Sequence, residues 1–149
     1  MKKTIFSVVL ALVLGSIALV YYVFNKPHRD VDSEKPSIRL SSADLFTNYS
    51  EKEKVSDSLY LNKVIEVNGK IGDITQDQKG EHVLVLEGDG MFGVVCSMNE
   101  LDAENKKKVS TLKVGDKVTL KGICNGFDSD VKLNKCVVLE VANDKSQSI

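Results

Sequence analysis

The 149-residue chain has no tryptophan, two prolines, three cysteines and two histidines, and aromatic residues make up 6% of it. The cysteines lack CxxC spacing and the histidines stand apart at His28 and His82, so no metal site is expected. Two prolines and ten glycines fit neither a collagen-like nor a low-complexity chain. No charge sign dominates: 20 Lys and Arg face 21 Asp and Glu, a net charge of −1, which disfavours a dedicated, high-affinity DNA coat. A second long apolar run is missing too, and this excludes a multi-span transporter. With 42% apolar residues, the length suits one small domain.

The one long apolar run is IFSVVLALVLGSIALVYYVF, Ile5 to Phe24, 20 residues without a charge. As a helix rising 1.5 Å per residue it covers about 30 Å, one bilayer core. Lys2 and Lys3 precede it, whereas Lys26 and Arg29 beyond it are diluted by Asp30, Asp32 and Glu34. The positive-inside bias then places residues 1–4 in the cytoplasm and the rest outside it. Tyr21 and Tyr22 suit the headgroup region, and Pro27 helps end the helix. A cleaved signal peptide is the competing reading; its apolar core is normally shorter, and cleavage after Ala18 would leave LVYYVF at the new N-terminus. The expectation is a single-pass anchor over 5–24 with an extracytoplasmic C-terminal domain. Without Lys2 and Lys3, that exported part carries 18 basic against 21 acidic residues, a balance of −3.

Residues 25–40 hold both prolines and mixed charges and read as a linker. Ser42 is a plausible N-cap for one or two short helices carrying Leu45, Phe46, Tyr49, Val55, Leu59 and Tyr60. The period then changes. Lys63 to Ile74 alternates as a long strand that Gly69 and Gly72 let bend. His82–Glu87 and Met91–Met98 flank a Gly-Asp-Gly turn and should pair as a hairpin. Glu100–Leu112 suits a short helix, and Lys117–Cys124 and Val131–Val141 give two more strands across the polar stretch Asn125–Asp130. Three strands, a short helical connection and two strands describe a mainly β, five-stranded Greek-key barrel of the oligonucleotide/oligosaccharide-binding (OB) type, over residues 41–141 with its N-terminal helices. Residues 142–149 form a tail. An open sheet with one covering helix is the structural rival; the long first strand favours closure.

The pieces KPHRDV, LFTNYSEKEKVSDSLYLNKVIEVNGKI, VVCSM, LKVGDKVTLKGICNG and DVKLNKCVVLE resemble the tRNA_anti-like family of bacterial OB-fold proteins, across about residues 26–141. The resemblance implies the barrel, export or membrane anchoring, and nucleic-acid binding, without assigning any residue a role.

For a ligand, such a barrel needs aromatic platforms and a basic groove. Phe92 and Phe127 are the candidate platforms, because Phe46, Tyr49 and Tyr60 fit helix-to-barrel packing. Lys63, Lys70, Lys117, Lys121, Lys132 and Lys135 could form an outward stripe, giving Lys70, Phe92, Lys117, Lys121, Phe127 and Lys132 as candidate ligand-binding residues. Interleaved acids also allow a plain solvated face. Outside the cytoplasm two cysteines oxidise where geometry allows, and Cys124 and Cys136 are the natural pair if the last hairpin centres on Asp130; the alternative is three reduced thiols packed as small hydrophobes. His82 lacks a neighbouring nucleophile, and EGDGMFG lacks the lysine of a phosphate loop. Neither an enzyme nor a cofactor is expected. Two readings remain: a tethered module for single-stranded nucleic acid or another oligomeric ligand, and a structural adaptor for a protein or glycan partner in the envelope.

Overall fold

A computed structural model describes residues 2–24, 31, 33–99 and 101–142, with side chains from residue 11 onward. Two units, Met1–Asp30 and Val31–Ile149, are each described by themselves. In the first, α1 (Lys2–Phe24) is a 23-residue helix in which the Ser16 hydroxyl donates to the carbonyls of Leu12 and Val13, at 3.0 and 2.9 Å. Among the described residues no helix is long and apolar enough to cross a membrane. The span expected over 5–24 lies partly outside the described side chains, as do the linker residues 25–30 and the tail 143–149.

The second unit contains β1 (Ile38–Ser41), α2 (Ser42–Tyr60), β2 (Val64–Gln76), β3 (His82–Asp89), β4 (Phe92–Met98), α3 (Ala103–Thr111), β5 (Lys117–Asp128) and β6 (Asp130–Ala142). The sheet runs β1-β2-β3-β4-β6-β5, and β2 also pairs with β5. That last pairing closes β2, β3, β4, β6 and β5 into a five-stranded barrel with a parallel β4–β6 pair and a helix between β4 and β5. This is the Greek-key order expected of an OB barrel. Closure rests on β2: Val64–Lys70 pairs antiparallel with β5, and Ile71–Gln76 with β3, across an irregularity between Ile71 and Asp73. A Cβ on Gly69 would collide with the Ser42 side chain, so the backbone approaches α2 as only glycine permits.

The strand count exceeds the expected five because β1 forms inside the stretch read as linker. Ile38 and Leu40 alternate with Arg39 and Ser41 and pair in parallel with Ile65 and Val67. β3 pairs only with the second half of β2, so the first half has a free edge, and β1 covers it. β5 and β6 likewise run through most of the expected polar connection: bulges between Cys124 and Phe127 keep the strands paired until Asp128 meets Asp130. The left-handed residue Ser129, φ 64°, makes the turn.

α2 packs on the barrel through Leu45, Phe46, Tyr49 and Tyr60, all buried. Its N-cap is Ser41, one residue before the expected Ser42: the Ser41 hydroxyl oxygen accepts from the Asp44 N–H at 3.1 Å, and Ser42 Oγ donates to the Glu87 carbonyl at 2.5 Å. The helix kinks at Lys52 and so forms two pieces, as its sequence allowed. In α3, Asp102 caps Asn105, and that backbone hydrogen bond holds the exposed carboxyl below its usual range. Buried Asn105 in turn accepts from the Val138 N–H at 3.3 Å, tying α3 to β6.

At the β3–β4 hairpin a Cβ on Gly93 would meet the Leu86 carbonyl oxygen, a backbone atom that cannot swing aside. Gly93→Ala is therefore expected to lower stability by about 1–3 kcal/mol, read as a lower urea midpoint of the Val31–Ile149 unit.

Candidate functional site

The six candidate ligand residues do not form one stripe. Lys121 is 6% exposed, and its ammonium group donates to the Glu34 carbonyl at 3.1 Å. It faces outward from β5, but the chain entering the domain lies over it, so it serves packing. Phe127 is half-buried, stacked on Tyr49 at 5.8 Å between centroids and edge-on to Phe46 at 6.0 Å. Its ring belongs to the seal between α2 and the barrel. Lys121 and Phe127 are therefore corrected from ligand contacts to structural residues: each found a partner in a segment far away in sequence.

Phe92 and Lys132 border the outer face of β3 and β4. Register puts Asp73, Val85, Val95 and Lys132 in one row across four strands, with Thr75, Val83 and Ser97 in the next. The valines are half-buried, and Phe92, 47% exposed, is the one ring at this edge among the described residues. Lys132 pairs with Asp128 at 3.1 Å, both exposed, a contact worth at most about 1 kcal/mol. Valine and aspartate where stacking would require rings make this a poor nucleic-acid face.

Lys70 and Lys117 do come together. They are cross-strand partners on β2 and β5, both exposed. Like charges directly opposite one another destabilise a sheet unless something anionic lies between them. Lys70 reaches Glu87 at 3.0 Å through a bridge half-open to water, and Lys117 has no partner among the described residues. Both line a groove of about 660 Å³ formed by β2, β5 and β6 and bordered by the start of α2. Ser41, Asn68, Thr119 and Glu140 share the groove, and register aligns Asn68, Thr119 and Glu140 in the row beside the lysines. Those polar neighbours were missed from sequence, although Asn68 and Thr119 stand two residues from Lys70 and Lys117 and so on the same face.

The tRNA_anti-like family model matches residues 1–138. The chain belongs to the tRNA_anti-like family. No curated protein matches it. Among solved structures the domain is similar to a "putative nucleic acid-binding lipoprotein" from Klebsiella pneumoniae subsp. pneumoniae MGH 78578. The two share 16% identity at a TM-score of 0.53, over 68% of this chain and 92% of the other, a likeness of fold.

In this tRNA_anti-like barrel the cysteines do not pair as expected. The β5–β6 register sets Cys124 opposite Leu133, not Cys136, because the hairpin centres on Ser129 and is bulged. All three thiols are free and buried. Cys124 Sγ lies 3.3 Å from the Tyr49 hydroxyl, and Cys136 hydrogen-bonds with Cys96. Burial pushes both the Cys124 and Cys136 thiols up, and the Cys96 contact adds to the effect at Cys136.

Two outcomes follow from these placements. Phe127→Ala should lower stability by about 2–4 kcal/mol in urea unfolding, as an emptied packing site does. Above about pH 8.5 the Cys124 and Cys136 thiols ionise in the unfolded chain while burial keeps them protonated in the folded one, so the folded state binds more protons and stability falls. The urea midpoint should decline through that window, and less steeply in Cys136→Ala.

Proposed function

We propose that this protein is a non-enzymatic binding module tethered on the outer side of a bacterial inner membrane, and that it binds single-stranded nucleic acid through the Lys70–Lys117 groove. The observation that carries the reading is the Lys117 ammonium, which has no partner among the described residues, set opposite Lys70 in the groove. Family membership and the description of the Klebsiella protein as a nucleic acid-binding lipoprotein agree with a nucleic-acid ligand and an envelope location. For the tether, the support is the uncharged run from Ile5 to Phe24 within one 23-residue helix, about 35 Å long. The binding class is favoured over catalysis because the candidate nucleophiles, the cysteines, are buried, and burial keeps Cys124 and Cys136 protonated.

With two lysines, a domain of negative balance and no ring platform, the site holds phosphates weakly and tolerates any base sequence. A second reading has its own observation. Met91, 91% exposed, and Phe92 project from the β3–β4 turn beside the valine face, a surface suited to a protein partner.

Fluorescence anisotropy of a labelled uridine oligonucleotide with the detergent-solubilised full chain separates the two readings. Two phosphate contacts predict a log–log salt slope of about −1.4, and Lys117→Gln should weaken binding roughly three- to tenfold and flatten the slope by about 0.7. An absence of binding at low salt would retire the nucleic-acid reading and leave the protein-partner surface.

A further inference from the structure

The groove carries more information than its charge. A site built only to hold phosphate has no use for a carboxylate, yet Glu140 lies in the row next to the two lysines. It is exposed and has no partner among the described residues, so its placement answers no need of the fold. Asn68 stands in the same row; its amide donates to the Leu40 carbonyl at 3.3 Å, which leaves its own carbonyl oxygen able to accept. Thr119 lies between them, its Cα registered with both Asn68 and Glu140. The groove thus presents a cationic row and, about 6.7 Å along the strands, a row rich in acceptors. The start of α2 contributes little to this pattern, because the Ser41 and Ser42 hydroxyls are already engaged.

An acceptor row beside a phosphate row suits a ligand whose phosphodiester neighbours a hydroxyl donor. Single-stranded RNA has that pattern and DNA lacks it, the 2′-hydroxyl being the difference. Toward DNA the Glu140 carboxylate offers only repulsion, while toward RNA it accepts a hydrogen bond that offsets the repulsion. Resting on the nucleic-acid reading above, we propose that the groove selects single-stranded RNA over DNA, with Lys70 and Lys117 on the phosphates and Glu140, assisted by Asn68 and Thr119, on the ribose 2′-hydroxyl.

The test titrates labelled oligo(U), oligo(dU) and 2′-O-methyl oligo(U) of one length against the detergent-solubilised full chain at low salt. Oligo(U) should bind about five- to tenfold more tightly than oligo(dU), within the net range of one hydrogen bond made in a site open to water. The 2′-O-methyl strand should fall to the level of oligo(dU), a readout that changes the ligand and leaves the protein intact. Glu140→Ala, which removes both the acceptor and the repulsion, should bring the ratio close to one, chiefly by strengthening oligo(dU), whereas Lys117→Gln should weaken both strands and preserve the ratio. Equal binding of RNA and DNA, or tighter DNA, would overturn the selectivity while the nucleic-acid reading stands. If neither strand binds, both proposals fall.

Discussion

A single strand has to serve two partners for this domain to exist. β2 gives its first half to β5 and its second half to β3, and the change of partner falls between Lys70 and Ile71. An open sheet would leave β5 and the free half of β2 as edges, with backbone donors and acceptors facing water or another chain. Closure removes those edges at the cost of a sharp bend, which Gly69, Gly72 and the local irregularity allow. The same bend sets the surface chemistry. Lys70 sits at the last β2–β5 pair before the switch, and its partner there is Lys117. A like-charged pair at that point is tolerable in a strand exposed to water, and it gives the barrel a cationic row beside a groove.

Closure also decides which residues cannot bind ligands. A small barrel leaves an open end, and α2 covers it with Phe46, Tyr49 and Tyr60; Phe127 stacks on Tyr49 and meets Phe46 edge-on. These rings make up most of the aromatic supply of a domain that has no tryptophan. Rings spent on sealing the barrel are unavailable for stacking bases, and the outer β3–β4 face is correspondingly aliphatic. The stability of the plug and the weakness of the expected binding therefore have one origin in composition.

Much of the fold was legible in the sequence because period and glycine placement determine it. The alternation from Lys63 to Ile74, the Gly88–Gly90 turn and the long last two strands all point to closure around one bent strand. β1 was hidden because four residues, IRLS, are too short for a period to stand out among prolines and charges. The cysteine pairing was illegible for a related reason: a bulge moves register by one residue and leaves no mark in composition. For the site, alternation placed Lys70 and Lys117 outward correctly. It placed Lys121 outward too, and no local pattern could reveal that the carbonyl of Glu34, far upstream in the chain, would cover it.

A negative domain with a two-lysine groove is at first sight an odd nucleic-acid binder, but net charge and local field answer different questions. The balance of −3 governs how the domain meets polyanions at a distance, and it slows and weakens encounter. At physiological ionic strength that field decays over about 8 Å, so at contact the local row outweighs charges on the far side of the barrel. Such a site gains little from steering and must rely on short-range geometry, where hydrogen bonds to a sugar count as much as charge. A weak site of this kind becomes effective when its concentration is raised locally, and confinement by a tether does so without adding a contact. The proposed anchor and the sparse groove are in that sense complementary: the anchor supplies concentration, and the groove is left to discriminate.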